Sequence, residues 1–548
     1  MRCNLQDVRF TQRADADTVQ QAATDPLASR TNSFLISNLA LRERHRDEYW
    51  RKNDPILEDR LLWRAQTFRH TVHLLPGQTI LELGCAELRF TRALLRVSRG
   101  ENSITAVTFQ EQLENFGLIH PKVELLRLSQ LPGPLKDRRF DCIVAMDLLD
   151  RDTSSELLAI AHELLAAGGE IVFYESNPWN PMYKLRDLLL RLVGRRDPRN
   201  LISRPRLYEL LSEIGFVRVY AVFNDFVFAP LTRPLIWFLR NASILLENAP
   251  LVQTMAGSIL VHAQKHPRAK EAVQVSLFTH PSLRRRVSMV IPCHNEEVNV
   301  GPLVKRILEL YGEYIHEIIA VNDSSTDHTG EVLDELAAQD ARVKPLHRFP
   351  PNGVGLAIAD GLSAASGEYV FTMDCDFLHL LPEFRDMLDA AAEGYDVVIG
   401  SRFSRHSVLL NYPFLKILAN RAFHALAVVL FARRIRDVTN NLKILRREVV
   451  NDLLLRQSGF AVNAETGLEP LVLGYSVRQV PISWINRTPE MGMSSFRLAR
   501  VGGGYWSVLT GLWLKHAFGI GPYRGLVRRD QGSKKSRRDV VPDSTIVR

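Results

Sequence analysis

The sequence predicts an α/β chain built from two Rossmann-like three-layer domains in tandem. Three observations predict it. Short apolar runs alternate with helical-period stretches through the first half, the same alternation recurs in the second half, and a charged, proline-bearing stretch separates the two. At 548 residues the chain exceeds one ordinary core, because domains run to roughly 100–200 residues.

Residues 1–35 are polar and poorly periodic and read as an N-terminal arm. The first domain, 36–265, takes strands from TILELG (79–84), SITAVTF (103–109), FDCIVAMD (140–147) and GEIVFYES (169–176). Between them lie helical stretches such as RFTRALLRVS and SSELLAIAHELLAAG, so the strands form βαβ units and a parallel sheet. A linker at 266–284 mixes charge, proline and weak periodicity. The second domain, 285–520, takes strands from RVSMVIPCHN (286–295), EIIAVND (317–323), EYVFTMDCD (368–376) and DVVIGSR (396–402), and 521–548 reads as a basic disordered tail.

Composition excludes several classes. With 46% hydrophobic and 24% charged residues the chain resembles a soluble globular protein. Five scattered cysteines, with no CxxC or Cys/His spacing, indicate neither a disulfide framework nor a zinc site and point to a reducing cytosol. No signal peptide is visible, and no uninterrupted apolar run reaches 18 residues; the nearest, 414–432 and 504–520, are broken by Lys, Arg, Asn or His and suit a membrane surface or a packed helix. Net charge is +8, and the basic stretch 523–539 fits a solvated tail, a contact for anionic lipid headgroups, or nucleic acid.

TILELGCAELRFTRALL (79–95) is a strand, a turn and a helix, which lets backbone N–H groups and a helix N-terminus face a cofactor. Over about 40–265 the chain resembles class I S-adenosylmethionine-dependent methyltransferases: Glu82 and Gly84 match the first motif, and FDCIVAMDLLD and LLAAGGEIVFYESNP follow in family order. The resemblance implies S-adenosylmethionine on Glu82, Gly84, Ala86 and Asp147. Ala86 and Leu88 stand where the family has glycines, and Thr108 where it has a ribose-binding acid. A working methyltransferase, a degenerate scaffold or ligand-binding regulator, and another α/β activity all stay open.

In the second half, Asp374 and Asp376 end an apolar strand. Burying unpaired carboxylates costs several kcal/mol, so the pair is expected at the strand's exposed end. VIPCHNEEVNV (290–300), VNDSSTDHT (321–329) and the glycine-rich PNGVGLAIADGLSAASGEY (351–369) place further polar turns at strand ends, where such sheets bind ligands. In order, IPCHNEE, NDSSTD, NGVGLA, DCDFLHLLPE and GSRF resemble the motifs of family 2 glycosyltransferases of the GT-A type, within them the dolichyl- or polyprenyl-phosphate sugar synthases, over about 285–500. Asn322 departs from the family's paired aspartates.

The resemblance implies a nucleotide-sugar bound by Pro292, Asn295, Glu296, Asp323, Asn352, Gly353, Asp374 and Arg402, with Mg2+ or Mn2+ on Asp374 and Asp376. A hard cation with oxygen ligands suits a departing diphosphate. A lipid phosphate acceptor is already anionic and needs cationic positioning rather than a general base. SWINRTPEMGMSSFRL (483–498) resembles the family's acceptor-phosphate segment, which implies Arg487, Ser494 and Ser495 there and Arg487 as catalytic beside the two aspartates. The expected activity is transfer to a polyprenyl phosphate by a protein lying peripherally on the cytoplasmic membrane face, with no nucleic-acid partner. The first domain is then a second, methylating enzyme or a non-catalytic adaptor.

Overall fold

The computed structural model describes residues 26–53, 57–110, 120–194, 200–226, 242–266, 275–404, 407–410, 412–485 and 498–527. The first half carries β1 (Thr79–Leu83), β2 (Ser103–Thr108), β3 (Val123–Arg127), β4 (Phe140–Met146), β5 (Leu165–Ser176), β6 (Phe216–Asn224) and β7 (Ser258–Lys265). They form one sheet in the order β3-β2-β1-β4-β5-β7-β6, parallel except for β7. The inner strands are apolar on both faces: Leu81 and Ile143 enter one buried cluster, Ile80 and Val144 the other.

The second half carries β8 (Val287–Cys293), β9 (Ile315–Asp323), β10 (Val343–Arg348), β11 (Tyr369–Thr372), β12 (Val397–Ser401), β14 (Lys443–Arg446) and β15 (Val477–Pro481), ordered β10-β9-β8-β11-β14-β12-β15. Among the described strands of this sheet, β14 alone runs antiparallel to its neighbours. A two-stranded ribbon of β13 (Val408–Leu410) and β16 (Ser483–Ile485) lies beside it. Met289, Ile291 and Phe371 pack on one face and Val290, Val370 and Ile399 on the other, as the strand period requires. Both halves are the α/β domains expected.

The boundaries differ in detail from the sequence reading. Helix α1 (Pro26–Asn53) starts inside the expected arm, because its inward face is charged and hides its periodicity. The end of the linker belongs to the second core: Leu277 and Leu283 are buried, and the Tyr314 hydroxyl accepts from the Thr279 and His280 N–H groups. Tyr523 and Leu526, at the start of the expected tail, are buried in the same domain. Residues 1–25 and 528–548 lie outside the described residues.

An ionic seam joins the domains. From α2 (Leu57–Thr71), Arg69 reaches Asp386 at 2.7 Å; Arg99, beyond α3 (Arg89–Val97), pairs with Asp386 and with Asp389 at 2.6 Å. Arg385 grips Glu101 through two bonds of 2.6 and 2.8 Å. Burial works against the Asp386 carboxylate, but Arg69 and Arg99 hold its pKa down at about 2.

Candidate active site

The polar turns converge at the carboxyl edge of β8, β9 and β11. Pro292 is the penultimate residue of β8, and Asn295 follows in a left-handed conformation with φ 57°. Its Oδ1 accepts from Thr326 N at 2.8 Å, and Glu296 N donates to Thr329 Oγ1 at 2.8 Å. Glu296 Oε2 takes the Asn299 amide at 2.6 Å. These residues thus stitch the turn after β8 to the turn after β9.

Asp323 ends β9 almost fully buried. Its carboxylate pairs with Arg348 and accepts from Gly353 N at 2.8 Å, so it anchors the glycine-rich loop. That loop needs its glycines for close approach: a Cβ at Gly353 would meet the Ser458 carbonyl and one at Gly355 the Gln457 carbonyl. Asn352 beside them is exposed.

Asp374 and Asp376 follow β11 after Met373; Asp374 is half-buried and Asp376 buried, which corrects the expected exposed strand end, because the chain packs on into the helix that Asp376 opens. Asp374 Oδ1 accepts from Asn441 Nδ2 at 2.8 Å, and Thr372 Oγ1 donates to the Asn441 carbonyl at 2.5 Å, so the start of β14 is fixed against the end of β11. Asp376 opens the short helix Phe377–Glu383 without capping it through its side chain. Cys375 between them points into the core, its sulfur 4.0 Å from that of Cys293, and the pairing with Cys293 and burial push its thiol well up. Among the described residues no group of three or more His, Cys, Asp or Glu could hold a metal. Two carboxylates at a strand end fit a Mg2+- or Mn2+-type ion that keeps waters and takes its remaining ligands from substrate phosphates.

Lys443, on β14, escaped the sequence reading. It is fully buried, and its Nζ donates to the carbonyls of Asn440 and of Asn463, the latter at 3.0 Å. Burial pulls its pKa down to about 7, against the pull of Asp437 and Asp374. It holds the 440–441 turn that brings Asn441 to Asp374. A single lysine inside the apolar run LKIL was the available signal.

Arg402 corrects the sequence reading of an available phosphate cation. It is buried and paired bidentately with fully buried Asp437, Nε to Oδ2 at 2.8 Å and Nη2 to Oδ1 at 3.0 Å, with its guanidinium 5.4 Å from the Trp484 ring centroid. Its charge is already matched, so it supports the site from beneath. Arg487, Ser494 and Ser495 lie outside the described residues. The strand entering their segment is held: Glu383 accepts from Ser483 N at 2.6 Å and also from its hydroxyl, and His70 Nδ1 of the first domain stands 2.9 Å from Glu383 Oε1. Although burial raises the Glu383 carboxyl, His70 and Ser483 bring it below the usual range.

The glycosyl transferase family 2 model matches residues 288–454, which span these turns. Polyprenol monophosphomannose synthase of Mycolicibacterium smegmatis is 30% identical over 217 residues, 38% of this chain and 80% of that protein. The chain belongs to glycosyltransferase family 2. It is a glycosyltransferase, and its transferase domain is the second one. Dolichol-phosphate mannosyltransferase of Pyrococcus furiosus is 31% identical over 182 residues, 33% of this chain and 51% of that relative. Among solved structures, glucosyl-3-phosphoglycerate synthase from Mycobacterium tuberculosis aligns at TM-score 0.34 with 19% identity, over 44% of this chain and 87% of that one.

The first domain of the family 2 transferase does not present the crevice expected for S-adenosylmethionine. Glu43 of α1 fills the space beyond β1 and β2: its Oε1 accepts from Ala86 N at 2.7 Å and Thr108 Oγ1 at 2.9 Å, and its Oε2 from Phe109 N at 2.9 Å. Arg46 caps Gly84 O at 2.6 Å and Met146 O at 2.8 Å. Leu88 is buried in the turn. Glu82 faces inward to Thr91 Oγ1 at 2.6 Å, with burial pushing it up to about 7, and Asp147 accepts from Ser176 N and Oγ at 2.9 and 2.7 Å. The backbone donors that would face the cofactor are consumed within the chain, and the cofactor does not fit.

Burial, then the nearby Asp147 charge, pushes Glu175 up to about 8 against Arg42 and the Leu148 and Leu149 N–H groups. The folded protein therefore keeps a proton that the unfolded chain releases near pH 4.5, and the stability this gives is lost as pH rises toward 8. The unfolding midpoint is expected to fall between pH 5 and 8 on this account. Glu175→Gln should flatten the slope, as a thermal melt series against pH would read.

Proposed function

We propose that the second domain moves a sugar from a nucleotide-sugar to a polyprenyl phosphate, with Asp374 and Asp376 holding a divalent cation at the donor diphosphate. The observation that carries this reading is the pair of carboxylates beyond the end of β11, inside the stretch 288–454 matched by the family 2 model, in a chain 30% identical to a polyprenol monophosphomannose synthase. When bound, the cation would neutralise charge on the leaving diphosphate. The protein's own part is positional: Asn441 orients Asp374, Lys443 fixes the turn that carries Asn441, and Asp323 holds the loop with Asn352 and Gly353 over the donor side. Pro292, Asn295 and Glu296 line the nucleotide, and Arg487, Ser494 and Ser495 take the acceptor phosphate.

The acceptor's lipid tail calls for a membrane surface, and the cytoplasmic face is the reading taken here. Helix Phe414–Phe431 has mean hydropathy 1.6 and is long and apolar enough to cross a membrane by length and composition. Ile417, Phe423, His424 and Phe431 pack inward while Leu415, Leu418 and Val429 stay exposed, which favours a helix lying in the interface. In the first domain, helix Pro181–Leu192 buries no residue and exposes Leu185, Leu188, Leu189 and Leu192 among Lys184, Arg186 and Arg191, a second amphipathic element for the same surface. The first domain acts as a non-catalytic scaffold, carried by the ionic seam; no methyl transfer is proposed.

The test is isothermal titration of the whole protein with UDP- and GDP-sugars, with and without Mn2+, beside Asp374→Ala. Metal-dependent binding of one donor, lost in the variant, is the expected result. Transfer from that donor to a short polyprenyl phosphate in detergent, and not to a neutral polyprenol, then tests the acceptor. Failure of every donor to bind would defeat the reading.

A further inference from the structure

We propose that the first domain binds a small organic oxyanion, a carboxylate or phosphate, in the cavity between α1, α2 and the carboxyl ends of β4 and β5, with Arg64 as its counter-charge. The cavity encloses about 430 Å³, within the roughly 300–1,000 Å³ of ligand pockets. Glu43 does not line it, although Arg46 and Asp147 border both spaces, and it lies in the other domain from the transferase site.

The four buried arginines around it fall into two groups, and a fifth, Arg186, is exposed at its edge. Arg42 donates to the carbonyls of Asp147 and Leu149 at 3.1 and 2.7 Å, Arg46 to those of Gly84 and Met146, and Arg60 stands 3.3 Å from Asp225. Arg64 has none of this. It is 7% exposed, and among the described residues its Nη1 meets only the Met146 sulfur at 3.5 Å and its Nε finds no acceptor; its guanidinium lies 5.3 Å from the Tyr174 ring centroid. No carboxylate among the described residues pairs with it.

A buried guanidinium without an anion is costly, and apolar packing alone would be better served by leucine or methionine at this position. Its planar fork matches a carboxylate or phosphate bidentately. Arg60 lies one turn away on the same face of α2, as the i, i+4 spacing dictates. Trp50 lines the wall, and Asp147 and Ser176 supply polar atoms at the floor for hydroxyl or amino groups. The ligand is therefore a small hydroxylated or amino-bearing acid or phosphate ester, and this reading stands whether or not the acceptor assignment of the second domain holds.

Inorganic phosphate and succinate, at constant ionic strength, serve as probes for the full chain in EDTA, which keeps metal out of the donor site. The midpoint of thermal unfolding should rise with one or both probes, phosphate alone marking a phosphate ester and succinate alone a carboxylate. Arg64→Met should weaken that binding at least tenfold, while its probe-free midpoint stays equal to or above the wild type because the unpaired charge is gone. Asp374→Ala should bind the probe like wild type. Equal midpoint rises in wild type and Arg64→Met would overturn the assignment, as would no rise in either, or a large fall of the probe-free midpoint in Arg64→Met. S-adenosylmethionine is the last arm: saturable binding of it would overturn the self-filled crevice and with it this division of the pocket.

Discussion

Asp374→Ala is expected to lower kcat for sugar transfer about a thousand-fold or more while leaving the unfolding midpoint nearly unchanged. A divalent ion at a departing diphosphate supplies several kcal/mol, and each ~1.4 kcal/mol is a factor of ten in rate. The side chain is half-buried beyond the end of β11 and belongs to none of the apolar core clusters. Its loss strips the Asn441 amide of one acceptor, a cost of about 1 kcal/mol. Asp376→Ala should act in the same direction. Donor binding in Mn2+ would fall with turnover, whereas metal-free binding of the nucleoside part would hold, since Asp323 and the 351–353 loop stay in place. Turnover within tenfold of wild type would show that the carboxylate does not work at the diphosphate.

The transferase fold was legible because its central strands are buried on both faces and read as continuous apolar runs, and because each ends in a polar turn. Asp374 and Asp376 were legible as charge at the end of VFTM, but the inference that the strand surfaces there was not, since Asp376 is buried and Asp374 half-buried. The partners of these residues were not. Asp437 and Asn441 lie just before, and Lys443 on, a strand inserted antiparallel between β11 and β12, 63 or more residues downstream of Asp374, and the register Thr372 to Lys443 brings them there. Arg402 read as an available cation because its neutralising Asp437 is distant in sequence.

The first domain shows the converse. The strand–turn–helix of residues 79–95 was correctly placed, and the missing glycines hinted at a closed turn. What closes it could not be read, because α1 turns Glu43 and Arg46 inward, where a polar stretch such as LRERHRDEYW looks solvated. Leu35, Leu39, Glu43, Arg46 and Trp50 form one helical stripe only if charge is allowed on the buried face.

Asp437→Ala is expected to destabilise the second domain by about 3–5 kcal/mol, enough to lose folded protein at physiological temperature. Asp437 is fully buried, and removing it leaves Arg402 charged beneath Phe403, Tyr412 and Trp484 with, among the described residues, the Thr439 and Tyr412 hydroxyls as its remaining side-chain acceptors. Burial opposes both charges, yet each holds the other ionised, Asp437 well below the usual carboxylate range and Arg402 above its usual value. The cost therefore belongs to breaking the pair, and Arg402→Met with Asp437→Leu should recover most of it, because a well-packed apolar replacement spares the desolvation of both ions. That double variant separates two roles. If it folds and transfers sugar like wild type, the pair is purely structural. If it folds but loses acceptor turnover with donor binding intact, Arg402 acts by holding Trp484 and, through β16, the entry to the 486–497 segment. A single Asp437→Ala protein as stable as wild type would instead mean that Arg402 finds solvent, and that the pair is not buried in the working enzyme.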